Sequence, residues 1–324
     1  MLRNPRALAG LAASLALCAA APAHAEPYPA KPIQMVVPQA PGGTNDIVAR
    51  LVAADLSQRL GQQVVVENRP GAGGNIGTQY AARATPDGYT LLMTISSTQA
   101  INPSLYRQVP FDPVKDFEPI APVASVPNVL VVNPAFPARS MAELISMAKA
   151  RPDYYRFASA GNGTLNHLLG EMLNSMAGIK LEHVPYKGVA PALNDVLGNQ
   201  VPMAFASLPS VLSHIKAGKV RALGVSSARR SPFAPDIPAI GETVPGYSGD
   251  LWVGLFAVKG TPREVSQKLA QTLHAALADK ALRDKLAAQG AEVLDGTPQQ
   301  FSALLKSDMD KWAKIVKSSG AQVD

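Results

Sequence analysis

Ile33-Gln34-Met35-Val36-Val37, then Pro41-Gly42-Gly43-Thr44-Asn45-Asp46, then a helical pattern: this stretch contains the unit from which most of the chain is built. An apolar run of strand length leads into a small, glycine-rich polar loop, and the loop opens a helix. The unit recurs at Tyr155-Arg156-Phe157-Ala158-Ser159, Ala160-Gly161-Asn162-Gly163-Thr164 and the helix that follows. Each junction aims unpaired backbone N–H groups at whatever lies beyond the strand end. Two such junctions facing each other would hold a small anion without a side-chain nucleophile or a metal.

Working outward, Thr44 to Leu60 carries Ile47, Val48, Leu51, Val52, Leu56 and Leu60 at three-and-four spacing, which predicts a helix stopped by Gly61. Strands are predicted at 63–67 and 90–95, with a helix over 75–83 between them. Strands alternating with helices point to α/β layers, mixed sheets flanked by helices. Ile120 to Val132 reads as one long apolar strand broken by Pro122 and Pro127. Proline denies a sheet its donor, so that strand belongs at an edge or at a crossing between lobes. From Met141 the alternation restarts and runs to Ser226; a proline-studded loop follows, then a second long apolar strand, 252–258, and two amphipathic helices. This order predicts one lobe from 26–124 plus 248–324 and a second from 125–247. Two connections would join them, an arrangement that allows closure around a ligand.

Residues 1–25 read as a leader: Arg3 and Arg6, an apolar stretch from Leu8 to Ala21, and the small-x-small site Ala23-His24-Ala25. The stretch is shorter than the roughly 20 residues that span a bilayer. Cys18 is the sole cysteine and lies within that leader, so the exported chain is expected to rely on its core alone. A leader on a soluble body places the protein in the periplasm, or outside a cell with one membrane. The net charge of +6 is mild, Lys and Arg are scattered, and aromatics make up 6% of residues, which argues against nucleic acid.

The loops admit plain readings beside functional ones. Pro41 to Asp46 is either a ligand loop or a tight turn with a helix cap, and Asp46 reads as a cap or a lobe-stabilising partner because its charge has the wrong sign for an anion. Gly71-Ala72-Gly73-Gly74-Asn75-Ile76-Gly77 imitates a dinucleotide fingerprint, but Ile76 stands where the third glycine is needed, leaving a loop that shapes a cleft rim. Ser159 to Thr164 followed by His167 is not a nucleophile elbow; Thr164 reads as a cap, and His167 as a polar cleft wall or a helix-surface residue. His167 and Glu171 make one i, i+4 pair, too few ligands for a metal. Tyr186 is a candidate cleft residue, and Asp195 is either a surface charge or a selector of an amino group. No catalytic residue, metal or cofactor is expected.

Several ordered strings carry a resemblance: Tyr28-Pro29-Ala30-Lys31-Pro32-Ile33, Glu67-Asn68-Arg69-Pro70-Gly71-Ala72-Gly73-Gly74, Pro86-Asp87-Gly88-Tyr89-Thr90, Ser159-Ala160-Gly161-Asn162-Gly163-Thr164 with His167, Val184-Pro185-Tyr186-Lys187-Gly188 and Lys216-Ala217-Gly218-Lys219-Val220-Arg221. With these, the chain resembles the Bug family, the substrate-binding proteins of tripartite tricarboxylate transporters. The resemblance implies a two-lobe periplasmic-binding-protein fold, type II-like, with two hinge strands and an interlobe cleft for a small organic carboxylate. Carried across, the ligand loops map to Gly42, Gly43 and Thr44, and to Ala160, Gly161, Asn162, Gly163 and Thr164. Asn75, Ser97, His167, Tyr186 and Asp195 fall where further cleft residues are expected. The implied partners are a small organic acid and integral-membrane permease subunits, and the implied state is a monomer that does not itself span the membrane. A receptor feeding a sensor kinase, or an enzyme of periplasmic acids, would use the same cleft. Ala206-Ser207 departs from the Asp-Asn of many relatives, so ligand identity does not transfer from any one of them.

Overall fold

A computed structural model describes residues 28–323; the leader assigned to residues 1–25 lies outside them. Two mixed sheets flanked by helices form the fold. The first has six strands: β1 (Ile33–Val37), β2 (Val64–Asn68), β3 (Thr90–Ile95), β4 (Phe117–Val126), β10 (Leu251–Val258) and β11 (Glu292–Val293), in the order β11-β4-β10-β3-β1-β2. The second has five: β5 (Asn128–Val132), β6 (Arg156–Ser159), β7 (Glu182–Pro185), β8 (Met203–Ser207) and β9 (Arg221–Val225), in the order β7-β6-β8-β5-β9. β1 is parallel to β2 and β3, and β6 is parallel to β7 and β8. Consequently the loops after β1, β2 and β3 leave the first sheet on one side, and the loop after β6 leaves the second sheet beside that after β8.

Helix α1 (Thr44–Leu60) buries Val48, Val52 and Leu56 together with Ala49 and Ala53 against the first sheet. Ile47 and Leu51 sit at the margin of that stripe, and Gly61 ends the helix in the left-handed region. α2 (Asn75–Ala82) follows β2. Ser96-Ser97-Thr98, which follow the strand predicted over 90–95, open a wide helical turn over Ser97–Ile101 that runs into the short helix α3 (Asn102–Leu105). Such π-type turns lack a side-chain period that could announce them, and Pro103 is admitted because it sits in the first turn of α3.

The strand predicted over 120–132 is two strands. β4 ends at Val126 in the first sheet and β5 begins at Asn128 in the second, with Pro127 at the crossing. Pro119 and Pro122 are tolerated in β4 because its pairing with β10 is irregular there and β11 covers only Ala124 and Ser125. The chain returns after β9. The two crossings are tied to each other: Ser226 N–H donates to the Asn128 carbonyl at 2.7 Å, and Asn128 N–H donates to Ser226 Oγ at 2.9 Å.

The second sheet is flanked by α4 (Met141–Ala150), α5 (Leu165–Ala177), α6 (Val189–Leu197) and α7 (Leu208–Lys216). After β10 come α8 (Arg263–Ala278), α9 (Lys280–Ala288) and the long α10 (Pro298–Ser319). One apolar cluster is continuous between the sheets: Phe256, Phe301 and Trp312 from the first side join Leu130, Phe157, Leu168 and Phe205 from the second. α10 packs on α5 as well as on β4, so the two halves share an apolar flank.

Candidate functional site

The loop ends of the first sheet meet the loop after β6 across a cleft of about 460 Å³. That lies in the range of small-molecule sites, and it lies beyond the carboxyl ends of parallel strands, where α/β folds place ligands. Gln39 and Ala40 after β1, Gly71, Gly73 and Gly74 after β2, and Ser97, Asn102, Leu105 and Tyr106 after β3 line one side. Asn162, Gly163, Thr164, Leu165 and Asn166 line the other. Leu251 and Val323 complete the wall.

On the first side the loop is braced from beneath by a buried acid. Asp46 Oδ2 accepts from Gly42 N–H at 2.9 Å and from Arg50 Nε at 3.0 Å, and its Oδ1 accepts from Asn68 Nδ2 at 2.9 Å. Burial alone would raise its pKa, but the hydrogen bonds from Arg50, Gly42 and Asn68 outweigh that and hold it below the ordinary value. Asp46 is thus a structural brace. Gly42 and Gly43 are exposed, and with Thr44 they stand just past the lining residue Ala40. Gln39 is pinned at both ends: its Nε2 donates to Thr98 Oγ1 at 3.0 Å, and its Oε1 accepts from Asn45. Asn75 is buried behind the second loop, its Oδ1 accepting from Asn102 Nδ2 at 2.8 Å. Gly73 has φ +64°, and a Cβ there would stand 2.6 Å from Tyr106 Oη, so only glycine lets loop and tyrosine approach so closely.

On the second side the loop is laced to itself. Gly161 N–H donates to Ser159 Oγ at 3.0 Å, and Thr164 Oγ1 donates to the Gly161 carbonyl at 2.7 Å. Gly163 N–H donates to His167 Nδ1 at 3.1 Å, which requires that nitrogen to be unprotonated. His167 is buried and stacks on His183 with ring centroids 3.8 Å apart. Burial, and secondarily the neighbouring His167, push the His183 pKa down to about 4, so His183 is neutral near pH 7. Its Nε2 lies 2.6 Å from Ser159 Oγ. Tyr186 donates to Asp195 Oδ2 at 2.5 Å, and burial with that carboxylate pushes its pKa up to about 12. Both stand outside the lining set, though the Tyr186 backbone packs under Gly161.

Thr164 caps α5, its Oγ1 accepting from His167 N–H, and the N–H groups of Asn162, Leu165 and Asn166 have no acceptor among the described residues. An anion at the amino end of this helix meets unspent donors and the favourable end of the helix dipole. No charged side chain lines the cleft among the described residues.

A profile of the family described as "Tripartite tricarboxylate transporter family receptor" matches residues 48–321. The chain belongs to that receptor family. It is 40% identical over 306 residues to Protein BugT of Bordetella pertussis, covering 94% of each chain. Among solved structures it resembles periplasmic binding protein BugD at 40% identity and TM-score 0.73, covering 91% of this chain and 99% of that one. An R. palustris protein solved with adipate is 37% identical with TM-score 0.77, covering 91% and 100%.

Of the residues singled out in the sequence of this family receptor, Ser97, Asn162, Gly163 and Thr164 line the cleft together. Gly42, Gly43, Thr44, Asn75, Ala160, Gly161, His167, Tyr186 and Asp195 lie outside that lining; of these, Asn75, Gly161, His167 and Tyr186 bond to or pack under the loops that form it. Gln39, Tyr106, Asn166, Leu251 and Val323 line it and were not singled out. Tyr106 and Val323 carried no local signal, whereas Asn166 could have been found as the second residue of a helix whose cap is Thr164.

Proposed function

We propose that this protein is a solute receptor of the periplasm that captures a small organic carboxylate between two lobes and hands it to a membrane permease of the tripartite tricarboxylate type. The lobes are residues 26–124 with 248–324, and residues 125–247. The observation that carries the reading is the set of unspent N–H groups at Asn162, Leu165 and Asn166, set across one cleft from Ser97 and the Gly71–Gly74 loop. Ligand contacts from both sides favour the closed form, because only that form makes both sets. The carboxylate-bound relative supports the ligand class.

This reading assigns no chemistry on the ligand: the Ser159–His183 pair stands outside the cleft lining, with Ser159 fully buried. His167 Nδ1 is engaged by Gly163 N–H and the Thr164 hydroxyl by Gly161, so neither forms a nucleophile–base pair with the other. A thermal-shift comparison of organic acids with their matched neutral amides tests the reading. Stabilisation by acids alone is expected, since a ligand that binds only the folded state raises its melting point. Equal response to acid and amide would overturn it.

A further inference from the structure

We propose that the ligand of this cleft is an acid with one carboxylate and an apolar body, held against an aliphatic wall that the segment after α10 helps to build. The inference rests on the carboxylate reading above and narrows it. Five aliphatic side chains line the cleft: Ile95, Leu105, Leu165, Leu251 and Val323. Leu105 and Leu165 are almost fully buried, so the wall is continuous with the core behind it.

Side-chain donors for a second carboxylate are scarce. Both Nδ2 hydrogens of Asn102 are spent, on the Gly73 carbonyl and on Asn75 Oδ1. Those of Asn166 go to Asn128 Oδ1 and the Phe205 carbonyl, and Gln39 is pinned at both ends. Among the lining residues, Ser97, Tyr106 and Asn162 keep polar side-chain groups, Gln39 keeps one Nε2 hydrogen, and Ala40, Gly71 and Gly73 keep backbone N–H groups without a partner among the described residues. With the α5 amides, these donors from both sides serve the same carboxylate, and the aliphatic residues are left to the ligand body. A further charged group on the ligand would be desolvated against aliphatic surface without a cation, which costs far more than it returns.

Val323 is held in place. After Gly320 turns the chain out of α10, Val323 N–H donates to the Leu105 carbonyl at 3.0 Å and the residue pairs with Tyr106 as a single parallel bridge. Leu105 in turn packs on Gly163 of the opposite loop, where a Cβ would stand 2.5 Å from its Cδ2. The terminal segment therefore backs the residue that touches both sides of the cleft, and its side chain limits how long a ligand body can be.

Isothermal titration of the purified protein with butyrate, pentanoate, hexanoate and benzoate, beside succinate, malate and citrate, tests this. Affinity is expected to rise about two- to fourfold per added methylene until the wall is filled, with the dicarboxylates and citrate binding more weakly than hexanoate. The variant Val323→Lys places a cation in the wall at a partly buried position on the margin of the core. It should weaken hexanoate about tenfold and shift preference towards succinate; Leu251→Ala should weaken hexanoate without that shift. If malate or citrate outbinds every monoacid, or length has no effect, the apolar-body proposal fails while carboxylate capture stands. If no acid of either kind binds, the carboxylate reading itself fails. An unchanged preference in Val323→Lys would remove Val323 from the wall.

Discussion

Replacing Gly163 with alanine probes the point where the two sides of the cleft touch. Gly163 has φ +74°, and its new Cβ would lie 2.5 Å and 2.9 Å from the two methyls of Leu105. Holding a non-glycine residue in the left-handed region costs about 1–2 kcal/mol. Relieving the contact means moving Leu105, which is 3% exposed, and overpacking of that kind costs about 1–3 kcal/mol. The sum is roughly 2–5 kcal/mol, read as a lower denaturant midpoint or a lower melting temperature. The companion change Leu105→Ala removes a buried leucine and costs about 2–5 kcal/mol by itself. In the double variant the clash is gone and only the backbone strain persists. The two losses should then fall short of additivity by about 1–3 kcal/mol. Strict additivity would refute the close approach of Leu105 to the Gly163 loop, and a Gly163→Ala protein that unfolds like the parent would refute the strain argument too.

Three further outcomes follow from the hydrogen bonding. Asp46→Asn loses a carboxylate that takes donors from Gly42, Arg50 and Asn68 and should cost about 1–3 kcal/mol. Because the folded pKa of Asp46 lies below the ordinary 3.8, its contribution is present above that value and is lost as pH falls through the folded pKa, so the variant should show a flatter acid limb in unfolding titrations. Asp250 is the opposite case: it accepts from Ser125 Oγ and Ser226 Oγ, at 3.0 Å each, where the crossings meet, and burial foremost raises its pKa to about 6. Its folded form binds the proton more tightly, so stability falls as pH rises from 3.8 to about 6, by at most about 3 kcal/mol and less where solvent screens its open edge. Asp250→Asn should flatten stability across that window, and an unchanged slope would contradict the assignment. His167→Ala leaves Gly163 N–H without its acceptor and should cost about 1–3 kcal/mol with faster amide exchange at Gly163; unchanged exchange would contradict the bracing role.

Much of this architecture was legible in the residues. Thr44 and Gly61 mark both ends of α1, and the two prolines at 122 and 127 announced an irregular strand and a crossing. Thr164 was readable as the cap of α5. The turn over Ser97–Ile101 was not, since a wide helical turn of small polar residues reads like a loop. Nor can a glycine loop reveal which of its residues face a cavity: Ala40 lines the cleft while Gly42 donates inward to Asp46. Val323 reaches the cleft only because α10 directs the chain back to Leu105, a tertiary contact without local signature.

The central claim, that main-chain donors at the start of α5 hold an anion across the cleft from Ser97, is tested most directly by a crystal structure of the protein grown with hexanoate. The expected result places both carboxylate oxygens within hydrogen-bonding reach of the Asn162, Leu165 and Asn166 amides and of the Ser97 hydroxyl. A carboxylate bound elsewhere, or held by one side with the α5 amides facing only solvent, would contradict it.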